Sequence, residues 1–292
     1  MRTLPFVEVP GLGILKDGLI SLDCVAISPN GKFVAAGGDD YVVQIWDFET
    51  GEPLKSLSMA AEFKHNFISV LFSPDNQKIL ASSGVETCMW DWPARGYELP
   101  YPVHNFRQVA MSANGRVVVG LNSHGVQVGN WENPGKSYHI WGANYPKDFF
   151  DQEVRTGVRE ARFASCVGVG QDGKLFVTGY NDGSITLRRS DTYEEVWTFQ
   201  AHPPSISPYD RSGVSDIALT PDNQTLISSG KERTVKFWDV STRELRHQLP
   251  QHPYHIIHMA LSPDGKTLVT SETQTSTPKD DMGFIHVWGA PT

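Results

Sequence analysis

His247, His252, His255 and His258 fall within one stretch and are the densest set of potential metal ligands in the chain. A zinc site needs three or four nitrogen, sulfur or carboxylate donors converging on one point. His258 lies at the edge of an expected strand, and the four side chains share no ligand sphere, so no metal is expected. The paired carboxylates Asp280-Asp281 and Glu194-Glu195 are adjacent rather than opposed, which does not make an acid/base pair. No G-x-S-x-G elbow and no Walker loop occurs. The stretch VGVGQDG from Val167 has the glycine spacing of a dinucleotide-binding turn but is a strand-turn segment with no helix after it. Catalytic and cofactor-binding residues are therefore not expected.

The elements that would position any such group are set by a repeat. VAISPNG from Val25, VLFSPDN from Val70, VAMSANG from Val109, VGVGQDG from Val167, IALTPDN from Ile217 and MALSPDG from Met259 recur at intervals of 45, 39, 58, 50 and 42 residues. Such periods mark a β-propeller. In each unit an apolar run meets Pro/Asp/Asn/Gly turn chemistry, which joins two antiparallel strands. A second apolar run follows, such as Phe33 to Ala36 or Leu226 to Ser229, and then an alternating third, as in VVQIWD from Val42 or TVKFWD from Thr234. A more polar fourth strand closes the unit at Leu54 to Leu57, Glu195 to Phe199 and Leu245 to Leu249. Four strands in each of six units predict an all-β fold, a six-bladed propeller of four-stranded antiparallel blades.

The repeat resembles the WD-repeat (WD40) family over nearly the whole chain. Trp46-Asp47, Trp90-Asp91 and Trp238-Asp239 stand where that family's dipeptide ends the third strand, and Trp288-Gly289 is a degenerate fourth copy. Repeats three and four carry Gly129-Asn130 and Arg188-Arg189 there instead. The family's Gly-His element is matched by Ala201-His202 and Gln251-His252, and its second-turn acid by Asp40, Asp182 and, as a substitute, Glu232. The turn of the second repeat is too short to hold an acid. The resemblance implies that histidine, acid, hydroxyl and tryptophan form a buried hydrogen-bond network within a blade, kept at the last two interfaces, and that these residues are structural.

The repeat fills the chain from about residue 20 onward, so residues 1–292 are expected to form a single WD40 domain. The sixth repeat reaches Trp288 without a fourth strand, and the 1–19 segment includes TLPFVEVPGLGIL from Thr3, enough for one strand. That segment is expected to pair with the last blade and close the ring. A net charge of −8 disfavours nonspecific nucleic-acid or anionic-membrane binding. No apolar run approaches the roughly 20 residues of a membrane span, and MRTLPFVEVPG lacks the apolar core of a signal peptide. Cys24 and Cys166 precede the first Val of their repeats and Cys88 lies in a third strand, which is neither a disulfide framework nor a zinc site. A reducing cytoplasm is the expected compartment.

Function is sought in what departs from the repeat. The stretch from Trp131 to Arg162 holds Trp131, Tyr138, Trp141, Tyr145, Phe149 and Phe150. Ser137 to Trp141 is expected to supply the outer strand of the third blade, leaving 142–162 as a long connection. Its aromatic residues either anchor a protein interface or fold back as a plug over the two Trp-deficient blades. A second insertion, His202 to Gly213, includes Tyr209, and the resemblance puts it on the face of the second-turn loops. Thr273 to Gly283 is expected as a loop on the opposite face. Trp141, Tyr145, Phe149, Phe150 and Tyr209 are thus the candidate partner-binding residues. The expected function is a noncatalytic protein–protein interaction scaffold, monomeric by itself and part of a larger assembly. One alternative is a propeller hydrolase or lactonase acting at the central channel, although the sequence shows no polar ring converging there. Another is a phosphopeptide or nucleic-acid reader using Arg155, Arg159 and Arg162, which Asp151, Glu153 and Glu160 offset.

Overall fold

The computed structural model of the chain describes residues 7–8, 22–38, 42–58, 67–83, 87–92, 96–98, 106–122, 125–129, 138–140, 163–204, 213–274 and 282–289. A short strand β1 (Val7–Glu8) comes first. The first sheet is β2 (Leu22–Ile27), β3 (Phe33–Gly38), β4 (Val42–Asp47) and β5 (Pro53–Ser58); the second is β6 (Ser69–Phe72), β7 (Lys78–Ser82), β8 (Thr87–Asp91) and β9 (Gly96–Glu98). The third is β10 (Gln108–Met111), β11 (Val118–Asn122), β12 (Gly125–Gly129) and β13 (Tyr138–Ile140). The fourth is β14 (Ala164–Val169), β15 (Leu175–Tyr180), β16 (Ser184–Arg189) and β17 (Glu195–Gln200). The fifth is β18 (Val214–Leu219), β19 (Thr225–Gly230), β20 (Thr234–Asp239) and β21 (Leu245–Gln248), and the sixth joins β22 (His255–Leu261), β23 (Thr267–Gln274) and β24 (Met282–Gly289) to β1.

Among the described residues, then, six four-stranded antiparallel sheets follow one another along the chain. The first strand of each packs against the first strand of the next, and β22 packs against β2, so the sheets close into a ring. Closure is completed by β1, whose Val7 and Glu8 pair with Gly289 and Trp288. The expected N-terminal strand on the last blade is therefore present. The expected loop from Thr273 to Gly283 is shorter than its sequence suggested, because Thr273 pairs with Gly283 and Gln274 with Met282, which extends the β23–β24 hairpin into it. Among the described residues no helix is long and apolar enough to cross a membrane.

The recurring turn explains why the sequence repeats. Ser28 Oγ donates to Asn30 Oδ1 (2.7 Å) and accepts from Phe33 N (2.9 Å), while Asn30 Oδ1 also accepts from Lys32 N (3.1 Å). Ser73 with Asp75, Ser112 with Asn114, Thr220 with Asp222 and Ser262 with Asp264 repeat the arrangement. In the fourth unit Gly170 replaces the hydroxyl residue, and the Asp172 bond to Lys174 N persists (2.9 Å). The residue after the Asx is left-handed every time, with φ of 70° at Gly31, 58° at Asn76, 68° at Gly115, 72° at Gly173, 55° at Asn223 and 70° at Gly265. Only glycine and, at some cost, asparagine take that conformation readily, which is the physical content of the G/N ending.

Second strands are buried almost throughout, as in β19, whereas outer strands such as β21 and β5 face solvent on most positions. The core lies between successive sheets. Trp46 packs with Val25, Val34, Val269 and Ile285 across the junction of the first and sixth sheets, and Phe67 meets Trp90 edge-on at 5.8 Å in the second.

Candidate functional site

The polar groups of the interior gather in two places, inside the fifth and sixth sheets and at the ring's inner wall. In the fifth sheet, antiparallel pairing sets Ser228 on β19 beside Lys236 and sets Trp238 of β20 opposite Leu226, so that hydroxyl and indole lie on one face. Trp238 Nε1 donates to Ser228 Oγ (2.9 Å), Ser228 Oγ meets His202 Nε2 (2.7 Å), and His202 Nδ1 meets Glu232 Oε1 (2.7 Å). The indole has only a hydrogen to give, so the hydroxyl donates onward to Nε2 and the imidazole donates from Nδ1 to the carboxylate. Burial lowers the His202 pKa, with Glu232 pulling the other way. Burial would raise Glu232, but its bonds to His202 and Lys236 hold it at about 2. Lys236 Nζ lies 3.0 Å from Glu232 Oε1 and donates to Ala201 O (2.8 Å), fixing the segment that carries the histidine.

The sixth sheet solves the same problem differently. Trp288 Nε1 donates to Thr270 Oγ1 (3.2 Å), Thr270 Oγ1 donates to Glu272 Oε1 (3.3 Å), and His252 Nδ1 meets that oxygen at 2.6 Å. Glu272 sits where the fifth sheet has Gly230, a position at which a Cβ would overlap the His202 ring. The acid has moved two residues back along the strand. Because side chains alternate with period two, it still faces the histidine.

At the inner wall, one position on each of the first five first strands reaches the next sheet, and its counterpart on the sixth, His258, faces Gln108 and Asp216. β-Bulges between Leu22 and Cys24, Ala164 and Cys166, Val214 and Asp216, and Ile256 and His258 re-aim that residue in four of the six strands. Cys24 Sγ points to Phe67 O (3.6 Å), Ser69 Oγ accepts from Val109 N (3.1 Å) and Gln108 Oε1 accepts from Val167 N (2.8 Å). Cys166 Sγ points to Val214 O (3.8 Å), and Asp216 Oδ2 accepts from Met259 N (2.5 Å). Gln108 Nε2 also reaches Asp216 Oδ1 (2.6 Å) and lies 3.2 Å from His258 Nε2, while His258 Nδ1 is 3.4 Å from Asp216 Oδ2. Burial pushes the Asp216 carboxyl up, against the charge of His258 and the bonds from Met259 N and Gln108. Gln108, Asp216 and His258, from the third, fifth and sixth sheets, thus meet across the ring's interior.

A family model described as "WD domain, G-beta repeat" matches residues 18–47 and 193–239. Those two stretches are similar to WD repeats. The chain is similar to Actin-interacting protein 1 of Drosophila melanogaster, at 25% identity over 82% of this chain and 37% of that protein. It is also similar to eukaryotic translation initiation factor 3 subunit I of Emericella nidulans, at 24% identity over 80% of this chain and 54% of the relative. Protein ROOT INITIATION DEFECTIVE 3 of Arabidopsis thaliana matches at 26% over 80% and 51%. The chain thus spans about half or less of the length of these relatives.

The tryptophan–aspartate dipeptides at the ends of the third strands divide into two roles. Trp46 and Trp90 are buried without a hydroxyl partner, since Ala36 and Ala81 stand where Ser228 stands in the fifth repeat. The aspartates cap the turn after the third strand. Asp47 Oδ1 accepts from Glu49 N (3.0 Å) and Thr50 N (2.9 Å), Asp91 pairs with Lys78 (2.9 Å), and Asp239 accepts from Ser241 and Thr242 and pairs with Arg246. Asp182 Oδ1 accepts from Ser184 N (2.9 Å), and Asp40 lies outside the described residues.

The two degenerate repeats are filled by other means. Arg188 takes the Trp position in the fourth, bonding Tyr180 Oη (3.3 Å) and Glu195 (2.5 Å). In the third, where Gly129 replaces Trp, the Phe106 ring lies directly against Gly120. The candidate partner-binding residues Trp141, Tyr145, Phe149, Phe150 and Tyr209, the 142–162 connection and Arg155, Arg159 and Arg162 all lie outside the described residues. His247 and His255 join neither network. Glu272, Gln108 and Asp216 were missed by sequence reasoning. The equivalence of Cys24 and Cys166, extended along the register to Ser69, Gln108, Asp216 and His258, was the available signal.

Proposed function

We propose that the chain is a noncatalytic protein–protein interaction scaffold, built as one WD40 domain and working within a larger assembly. The observation that carries this reading is the use of its buried polar groups. His202 is committed to Ser228 and Glu232, His252 to Glu272, and Asp216 to Gln108 and Met259 N, so these side chains hold sheets together. Two relatives, an actin-interacting protein and a subunit of an initiation factor, point the same way by their names. Cys24, Cys88 and Cys166 are buried and form no disulfide, in keeping with a reducing, cytoplasmic setting.

The partner is a protein, held by Trp141, Tyr145, Phe149, Phe150 and Tyr209; aromatic anchors of this kind carry most of the energy of an interface. Copurification from native cells at low salt, followed by mass spectrometry, tests the scaffold directly. A stoichiometric protein partner is expected, and a copurifying metabolite or metal with no protein would overturn the reading. Replacing Tyr145, Phe149 and Phe150 together by Ser should abolish partner recovery while leaving the unfolding temperature unchanged. A fall in stability would instead make the 142–162 connection a plug.

A further inference from the structure

Gln108 is the only side chain among the described residues for which bonds to three other sheets are found: the fourth through Val167 N, the fifth through Asp216 and the sixth through His258. Its partners are 59, 108 and 150 residues away in sequence. Neighbouring first strands explain the bond to Val167. They do not explain the other two, because the third sheet is not adjacent to the fifth or sixth, and only a path across the ring's interior joins them.

The network has one consistent proton arrangement. Val167 N is a donor, so the Gln108 atom facing it is Oε1, and the amide nitrogen must face Asp216 and His258. Both hydrogens of that nitrogen are then used, one toward Asp216 Oδ1 and one toward His258 Nε2. His258 Nε2 has to accept. The ring proton accordingly sits on Nδ1, which faces Asp216 Oδ2 at 3.4 Å without a hydrogen bond to it. Asp216 is left with donors at both oxygens, from Gln108 and Met259 N, as a buried carboxylate requires. Asp216 is 1% exposed and Gln108 8%, so water does not compete for these bonds.

We infer that Gln108 is a latch across the central channel, tying the third sheet to the fifth and sixth and fixing His258 as its Nδ1–H tautomer. The latch spans the ring's interior at this level, so moving the third sheet away from the fifth and sixth must break the Gln108 bonds. It also compensates the repeat that has lost its tryptophan at Gly129, by anchoring that sheet at its inner edge rather than through its third strand.

Two measurements test the latch. Long-range ¹H–¹⁵N correlation spectra of the wild-type protein, with His258 assigned from a His258→Gln sample, should show a protonated Nδ1 and a bare Nε2. A protonated Nε2 overturns the arrangement, and this reading does not depend on any variant being stable. A double-mutant cycle on Gln108→Ala and Asp216→Ala, read by urea unfolding, should show coupling of at least tenfold in the unfolding equilibrium constant, as expected for a buried bond to a charge. In Gln108→Ala the His258 tautomer should shift toward Nε2–H. Additivity within twofold, or an unchanged tautomer in Gln108→Ala, would show that Gln108 packs there without acting as a latch.

Discussion

Ser228→Ala removes one oxygen from the middle of the fifth repeat and isolates what the hydrogen-bond chain contributes. Ser228 is fully buried, and its Oγ is shared by Trp238 Nε1 at 2.9 Å and His202 Nε2 at 2.7 Å. Losing it strands an indole N–H and an imidazole lone pair where water does not reach. Each unsatisfied buried group costs about 1–3 kcal/mol, so stranding two should cost roughly 2–6 kcal/mol, with little added by a void of one atom. At about 2–4 °C per kcal/mol, Tm should fall by roughly 4–24 °C. Ser228→Thr is the control, because Thr270 and Thr178 occupy the same register position in neighbouring sheets. It should stay within about 1 kcal/mol of wild type. Urea unfolding followed by tryptophan fluorescence, with thermal melts beside it, measures both. If Ser228→Ala unfolds within about 0.5 kcal/mol of wild type, the directional chain from Trp238 to Glu232 is not what holds this sheet. Trp238 and His202 meet only through Ser228, so Trp238→Ala should cost at least as much as Ser228→Ala.

Acidification should destabilise the protein. His202 has its pKa lowered by burial, so its contribution is present above about 6.5 and is lost as pH falls below that; Glu232, held at about 2 against an ordinary 4.5, loses its contribution between those two values. Discounted for its partial exposure, Glu232 accounts for about 1–2 kcal/mol. Asp216, raised by burial, opposes this modestly as pH falls toward 3.8. Urea midpoints between pH 7 and 3 should decline throughout, and a flat profile would rule the network out as a source of acid sensitivity. Gly120→Ala should cost about 1–3 kcal/mol, because the new methyl overlaps the Phe106 ring, and Phe106→Leu in the same chain should restore part of it; no loss in a thermal melt would mean that the ring is not fixed there. Deleting Met1 to Val9 removes β1 and bares the β24 edge beside Trp288 and Gly289, so light scattering should report aggregation; an equally stable monomer would place closure elsewhere.

The six turns were legible because each residue in them has a local job. An Asx and a left-handed glycine or asparagine recur in all six, with a hydroxyl before them in five, and the combination leaves a readable string. The outer strand of the third sheet, expected from Ser137 to Trp141, is found at Tyr138–Ile140. Glu272 was not legible. The expectation looked for the acid in the turn, whereas the only physical requirement is that a carboxylate reach the histidine, and period-two geometry allows that from the strand. The Gln108–Asp216–His258 cluster was harder still, since its partners lie in separate repeats and nothing in the local pattern of any one strand names the others.

The distribution of these solutions around the ring has its own logic. At the register position of Ser228, the first three sheets carry Ala36, Ala81 and Gly120, and the last three carry Thr178, Ser228 and Thr270. At this position the first half packs apolar side chains around Trp46, Trp90 and Phe106, whereas the fifth and sixth sheets add hydrogen-bonded chains that fail as a set when one member is removed, and Thr178 Oγ1 of the fourth is unbonded. Apolar packing is non-directional and tolerates repacking, while a hydrogen-bonded chain fixes one arrangement. A closed ring needs both halves to agree on its diameter. Gln108 starts in the apolar half and ends on Asp216 and His258 in the polar one, so the fixed geometry of the second half is imposed on the first across the channel as well as around the circumference.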